Sequence, residues 1–170
     1  NLTIYAKTEY KPLVFEENEN GYTVVDCDKN ATSIVIPETY NGLKVTAIGD
    51  DAFYNCYGLT KIDISDIGAW CNISFGKSYA NPLYYARDLY LNGKLVTELQ
   101  IPEGVTQIKD YAFYNWSSLK SITIPDSVTS IGDYAFDGCT SLTSVNITNL
   151  AAWCNIDFAN SSANPLYYAK

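Results

Sequence analysis

Val128-Thr-Ser-Ile-Gly-Asp-Tyr-Ala-Phe-Asp-Gly-Cys-Thr-Ser-Leu142 repeats, 23 residues on, the pattern of Val105-Thr-Gln-Ile-Lys-Asp-Tyr-Ala-Phe-Tyr-Asn-Trp-Ser-Ser-Leu119. Val45 to Leu59 keeps the same internal spacing. A longer period encloses the short one. Residues 59–86 laid over residues 142–169, at an offset of 83 and with no gap, agree at 17 of 28 positions. Trp70-Cys71-Asn72-Ile73 against Trp153-Cys154-Asn155-Ile156 is among the identities. Fixed periods of about 20 to 50 residues belong to chains that stack one structural unit on the next.

The unit has a physical logic. Ile34-Val35-Ile36-Pro37, Leu59 to Ile64, Val96 to Pro102, Leu119 to Pro125 and Leu142 to Ile147 share one pattern. The last apolar pair of each alternates at period two, which puts both side chains on one face of a short strand. About five such strands, stacked in parallel, predict one sheet. Proline after the strand removes a ladder donor and ends the pairing. A second extended piece follows at Val45-Thr-Ala-Ile48, Val105-Thr-Gln-Ile108 and Val128-Thr-Ser-Ile131. Then comes an Asp-x-Ala-Phe run ending at Phe53, Phe113 and Phe136, read as a helical turn with Ala and Phe pointing inward. Stacked coils then form ladders of like residues through a shared interior.

Two places depart from the short period. Ile64 and Ile147 are followed by Ser65 and Thr148 rather than Pro, and a longer module begins at each. These inserted modules span residues 65–95 and 148–170. Asn81-Pro82 and Asn164-Pro165 read as an N-cap followed by Pro at the first helical position, so Leu83-Tyr84-Tyr85-Ala86 should open a short helix. Ser65-Asp66 and Thr148-Asn149 can cap the helical turn before it. Leu89-Tyr-Leu91, Asn92-Gly93, Lys94-Leu-Val96 reads as a hairpin leading into the third sheet strand. Residues 31–170 are thus a repeat array. Residues 1–30, with a strand, turn and strand from Leu13 to Val25, are expected to cap the open edge of its first coil. A chain that starts at Asn1, contains no Met and stops inside a module reads as a piece of a longer array.

Composition narrows the function classes. The chain carries 11 basic against 19 acidic residues, a net charge of -8. Phosphate backbones and anionic membrane surfaces need clustered Lys and Arg, so neither nucleic acid nor membrane is an expected partner. No apolar run approaches the roughly 18 residues of a membrane-spanning helix. With no histidine, Ser-His-Asp and Cys-His arrangements are excluded, and no cofactor, catalytic or metal site is expected. Carboxylate pairs drawn from Glu16-Glu17, Asp50-Asp51, Asp63 and Asp66 are the residual catalytic candidates. Asp50, Asp110 and Asp133 recur at one repeat position, which argues for a turn residue. Asp26-x-Asp28-x-Asn30 mimics the start of a calcium loop, but Ala31 stands where Gly is needed and Pro37 where the bidentate Glu belongs. The five cysteines include no CxxC pair. They read as buried thiols, with bridges Cys56 to Cys71 and Cys139 to Cys154 as the alternative.

Ser121-Ile-Thr-Ile-Pro-Asp-Ser-Val-Thr-Ser-Ile-Gly-Asp-Tyr-Ala-Phe-Asp-Gly-Cys-Thr-Ser-Leu142 resembles the repeat of the BspA-like leucine-rich repeat family, also called the Treponema pallidum type. The resemblance covers roughly residues 31–147. It implies a β-rich right-handed solenoid with short helical turns and an extracellular or cell-wall location. It also implies non-catalytic adhesion to proteins of a host or a neighbouring cell. Leu2 to Lys7 resembles the last strand of a β-rich repeat found before such domains.

Two surfaces are candidates for binding. The residues between the apolar sheet positions are Lys61, Asp63, Glu98, Gln100, Lys120, Thr123, Ser144 and Asn146, a hydrated face suited to a protein partner. Tyr84, Tyr85, Tyr167 and Tyr168 could instead stack on carbohydrate, or be their module's own packing. A passive spacer remains the third reading.

Overall fold

The structure, a computed structural model, describes residues 12–170. The strand expected at residues 2–7 lies outside them. The strands of the described residues form four small sheets. In the first front sheet, Ser33–Ile36, Lys61–Ile64 and Leu89–Leu91 run parallel, with Ile34 opposite Ile62 and Ile62 opposite Leu89. In the second, Leu99 of Glu98–Gln100 faces Ile122 of Ser121–Ile124, which faces Val145 of Ser144–Ile147. Those partners are 23 residues apart, so the short repeat is the register of the ladder. Two rear sheets use the second extended pieces. One joins Leu13–Asn18, Gly21–Cys27, Leu43–Ile48 and Ser74–Phe75, with Thr39–Tyr40 on Leu43–Ile48; the other joins Gln107–Ile108, Ser130–Ile131 and Asp157–Phe158.

The expected single sheet of about five strands is therefore two sheets. Leu89–Leu91 takes the place beside Lys61–Ile64 that the repeat pattern gave to Val96 to Ile101. Asn92 and Gly93 then adopt left-handed φ of 49° and 79°, and the chain returns through Lys94–Leu95 antiparallel to Leu89–Leu91. An antiparallel arm ends a parallel run, so Glu98–Gln100 starts a new sheet. In the same way Ser74–Phe75 and Asp157–Phe158 stand in the rear sheets where the short coils have Val-x-x-Ile.

Capping agrees closely with the sequence. Asp66 Oδ1 accepts from Ala69 N at 2.6 Å at the start of α1 (Ile67–Cys71), and Asn81 Oδ1 accepts from Leu83 N at 2.9 Å before α2 (Leu83–Ala86). Asn149 caps α3 (Leu150–Cys154) through Ala151 N and Ala152 N. Asn164 caps a 3-10 turn, Pro165–Tyr167. The Asp-x-Ala-Phe runs are not helical. Tyr111 and Tyr134 sit at φ of 60° and 54°, and that left-handed step interrupts a helix. The backbone passes instead through consecutive tight turns, such as Cys56 N to Phe53 O at 3.0 Å and Leu59 N to Cys56 O at 3.1 Å.

The turns deliver Ala and Phe inward as expected. Phe53, Phe113 and Phe136 are all fully buried in one core cluster, with the rings of Phe113 and Phe136 stacked at 5.5 Å. Cys56, Trp116 and Cys139 share the next slot and are equally buried. Burying one such side chain stabilises by roughly 1.5–3 kcal/mol. Coil-to-coil closure around α1 uses polar atoms as well. Trp70 Nε1 donates to Ala112 O at 2.8 Å, Lys109 N donates to Cys71 O at 2.9 Å, and the buried Asn81 Nδ2 donates to Tyr111 O at 2.7 Å.

All five cysteines are free, and four are buried. The expectation that every thiol is enclosed fails at Cys154, which is exposed. Residues 109–112 close over Cys71, with Lys109 N donating to Cys71 O at 2.9 Å, and Cys154 has no such cover among the described residues. Burial, with the neighbouring Cys56 thiol, pushes Cys27 up to about 12, and burial alone dominates the upward shifts of Cys56, Cys71 and Cys139.

Four outcomes are expected. Phe113→Ala lowers the unfolding free energy by about 3–5 kcal/mol in urea titration, while Tyr57→Ala, at a side chain 78% exposed, costs under about 0.5 kcal/mol. Asn81→Ala removes the donor to Tyr111 O and the cap on Leu83 N, while Ala112 O keeps Trp70 Nε1, and costs about 1–3 kcal/mol; Asn164→Ala, which loses a cap at a more open site, costs about 1 kcal/mol. In dilute native protein one thiol, Cys154, reacts rapidly with an alkylating reagent, counted by mass spectrometry. Burial holds the protons of the Cys27, Cys56, Cys71 and Cys139 thiols above the ordinary value of 9.0, where the unfolded chain releases them. Stability is thus kept below that pH and falls as pH rises toward 12, by about 1.4 kcal/mol per pH unit per thiol. Cys71→Ala removes one thiol's share of that slope.

Candidate functional site

The polar face expected from the sequence is built by strand alternation: in Lys61–Ile64 and Ser121–Ile124 the isoleucines are buried and the residues between them half-exposed. Register then aligns those residues across coils. Glu98, Ser121 and Ser144 stand opposite one another, as do Gln100, Thr123 and Asn146. Both rows lie on one sheet, with Glu98, Gln100 and Asn146 exposed. Lys120 precedes its strand rather than joining it, and its carbonyl accepts from Thr143 N and Oγ1 at 2.9 and 3.2 Å. Lys61 and Asp63 fall on the other front sheet. There they form an ion pair at 3.4 Å, Lys61 Nζ lies 4.6 Å from the Tyr90 ring centre, and Asp63 also accepts from Gly93 N. The structure therefore brings six polar residues into one patch and leaves Lys61 and Asp63 in a second. Val35, 62% exposed, and Tyr90 complete that second patch. Neither stands out in the sequence, because each alternates correctly with apolar neighbours and carries no charge.

The tyrosines divide as the module repeats. Tyr84 and Tyr167 are exposed, at 42% and 68%, while Tyr85 and Tyr168 are half-buried against the core. Tyr168 donates to Asp137 at 2.8 Å, and burial, partly opposed by a hydrogen bond with Ser162, pushes its phenol up to about 12. Further tyrosines join them. Ring contacts run from Tyr57 to Tyr85, Tyr84, Tyr114, Tyr111 and Tyr134, at centroid distances of 5.1–6.3 Å. Tyr111 and Tyr134 share one position of the 23-residue repeat, and Tyr54 and Tyr114 another. The repeat itself was the signal for this strip.

Several of the carboxylates have structural work. Asp110 Oδ1 accepts from Asp133 N at 2.8 Å, Asp133 Oδ1 accepts from Asn160 Nδ2 at 3.0 Å, and Asp50 pairs with Lys77 at 3.1 Å. Each reaches toward a neighbouring coil, as a recurring turn residue should. Asp66 is an N-cap. Asp26 accepts from Cys27 N and pairs with Lys29 at 2.7 Å, and those bonds hold its carboxyl below the usual range. Asp28 accepts from Asn30 N at 2.9 Å. The residues of the calcium-like stretch are thus tied into a polar turn before Ser33–Ile36. An open groove of about 600 Å³ lies nearby, lined by Leu13, Phe15, Ala31, Ile34, Pro37 and Tyr40 among others, with no charged residue in its wall among the described residues.

Comparison with known proteins places this geometry. The family model for the BspA type leucine rich repeat region matches in six copies, over residues 22–78 and 87–164. No curated protein matches the chain. The crystal structure of a T. pallidum leucine rich repeat protein superposes with a TM-score of 0.50 at 14% identity, covering 94% of this chain and 88% of that one. A leucine rich cell surface protein from Faecalibacterium prausnitzii gives 0.52 at 24% identity, covering 85% of this chain and 40% of that one. This chain thus spans less than half the length of the latter. A leucine-rich repeat protein from Bacteroides ovatus gives 0.40 at 22% identity, over 82% and 46% of the two chains. For the first two the likeness, at 14% and 24% identity, is one of fold, and no helix among the described residues is long and apolar enough to cross a membrane. With repeats of one family matched over most of its length, the chain belongs to the BspA-type leucine-rich repeat family.

Proposed function

We propose that this chain is a non-catalytic protein-binding segment of a secreted or cell-wall-attached bacterial protein, working in adhesion to host or neighbouring-cell surfaces. In this reading the coils wind as a right-handed solenoid and the hairpin from Leu13 to Cys27 caps its start. The stretches 65–95 and 148–170 are modules inserted into the repeat. The observation that carries it is the pair of polar rows Glu98, Ser121, Ser144 and Gln100, Thr123, Asn146, held in parallel register on a rigid sheet. Side chains of that size and polarity can hydrogen-bond a partner and bury little apolar area. Affinity per coil is then modest and grows with the number of coils engaged. Family membership and the cell-surface description of the F. prausnitzii protein support the location.

Carbohydrate binding is the second reading, favoured by the connected tyrosine strip and the exposed Tyr84 and Tyr167. One experiment separates the two. The chain is titrated against a panel of immobilised extracellular proteins and against a glycan array, alongside Gln100→Lys/Thr123→Lys/Asn146→Lys and Tyr84→Ala/Tyr85→Ala. Saturable binding to a protein, weakened at least about tenfold (1.4 kcal/mol) by the lysines and unchanged by the alanines, is the expected result. Glycan binding lost on the tyrosine substitutions would move the function to carbohydrate. No saturable ligand in either format would leave a spacer.

A further inference from the structure

The cysteine slot of the repeat extends into the hairpin at the start of the array. Cys56 shares its place in the coil with Trp116 and Cys139, and its turn closes with Leu59 N donating to Cys56 O at 3.1 Å. One layer earlier the chain makes the same turn, with Ala31 N donating to Asp28 O at 2.9 Å. The strands on either side keep step. Val24 stands opposite Ile48 before the turns, and Ile34 opposite Ile62 after them. Lys29 Nζ reaches across to Ala52 O at 3.5 Å. Cys27, the last residue of the strand Gly21–Cys27, is thereby laid against Cys56, with the two thiols in hydrogen-bonding reach of each other. Both are buried, at 1% and 0% exposure. Neighbouring parallel strands lie about 4.7–4.9 Å apart, within the roughly 4.4–6.8 Å that a disulfide spans between Cα atoms.

The other thiols are placed differently. In the coil before Cys139 the slot holds Trp116, and Cys139 Sγ donates to Phe113 O at 3.4 Å. Cys71 lies in α1 beneath residues 109–112, and Cys154 is exposed. A bridge from Cys56 to Cys71, the alternative open to the sequence, would join a slot to a helix. Cys27 to Cys56 joins two layers of one slot.

We infer that Cys27 and Cys56 are a covalent clasp: on meeting a disulfide oxidant, such as oxidised glutathione or a thiol-disulfide oxidoreductase, they join as a disulfide that fastens the hairpin Leu13 to Cys27 onto the first coil. The thiolate of one cysteine attacks the oxidant's S–S bond and releases one thiol; the thiolate of the other attacks the mixed disulfide and releases the second. Two S–H bonds are lost, one S–S bond forms, and the oxidant takes up two electrons and two protons. Burial pushes both thiols up, so attack is slow in the closed fold and fast while the hairpin is undocked. The same enclosure then shields the finished bridge from reductants. Closing the loop from residue 27 to residue 56 narrows the unfolded ensemble and favours the fold. It also ties down a terminal coil, where a repeat array frays. A location outside the cell, as proposed above, supplies the oxidant; the reaction itself stands without that reading.

The test uses the full chain and Cys154→Ser, which removes the exposed thiol as a competitor. Each is unfolded in urea with reductant and refolded in a mixture of reduced and oxidised glutathione; thiols left over are alkylated in urea and the peptides mapped by mass spectrometry. One linked pair, Cys27 to Cys56, is expected, with Cys71 and Cys139 alkylated. Incubating the folded, reduced protein with oxidised glutathione reaches the same link at least about tenfold more slowly. In the linked protein the amides of Gly21–Cys27 exchange at least about tenfold more slowly than in the reduced one, and the urea midpoint is higher. Cys27→Ser abolishes both differences, and if that variant does not fold, adding reductant to the linked protein in urea makes the same comparison. Cys27 and Cys56 both alkylated after either treatment, Cys56 linked to Cys71 instead, or a linked protein with a midpoint and exchange no better than those of the reduced one would overturn the inference.

Discussion

Backbone pairing between coils one repeat apart is the constraint on which the rest of this structure depends. Ser121 faces Ser144, Ile122 faces Val145 and Ile124 faces Ile147, so position in the repeat becomes position in space. Once that register is set, side-chain period two sends one apolar set inward, and a slip of one residue would turn it out to water. The fully buried Phe53, Phe113 and Phe136, and the slot shared by Cys56, Trp116 and Cys139, are consequences of it. So is the polar patch, whose two rows hold side chains that the fold does not itself pack.

Polar bonds between coils reinforce the same geometry. Thr129 Oγ1 donates to Thr106 O at 3.0 Å and Thr143 Oγ1 to Lys120 O at 3.2 Å, each over a separation of 23 residues. Asp110 and Asp133 repeat the device with carboxylates. One core cluster runs through the repeats, and contacts between neighbouring repeats contribute to stability beside those within each.

Much of this was legible in the residues. Identity at fixed spacing located the strands, the inward Ala and Phe, and the Asn and Asp caps, since each depends on local chemistry repeated in several copies. What failed depended on competition between segments. Leu89-Tyr90-Leu91 and Val96 to Ile101 both read as strands, and nothing local says which one reaches the edge of Lys61–Ile64 first; the Asn92-Gly93 turn gives it to the former. Exposure of Cys154 was likewise invisible, because its sequence surroundings match those of Cys71 and the difference lies in what covers them. The candidate site was legible as a list of outward residues, but their division into two patches arose from the same hairpin.

That hairpin has a mechanical consequence. Between residues 94 and 98 the front ladder is interrupted, and the hydrogen bonds across the break include Trp70 to Ala112, Asn81 to Tyr111, and Lys109 to Cys71 through its backbone amide and to Ser74 through its side chain. A seam stitched largely by side chains transmits strain less evenly than a continuous ribbon of peptide bonds. The core runs unbroken across this seam while the front ladder does not, so the peptide hydrogen bonds of the front face fall into two groups.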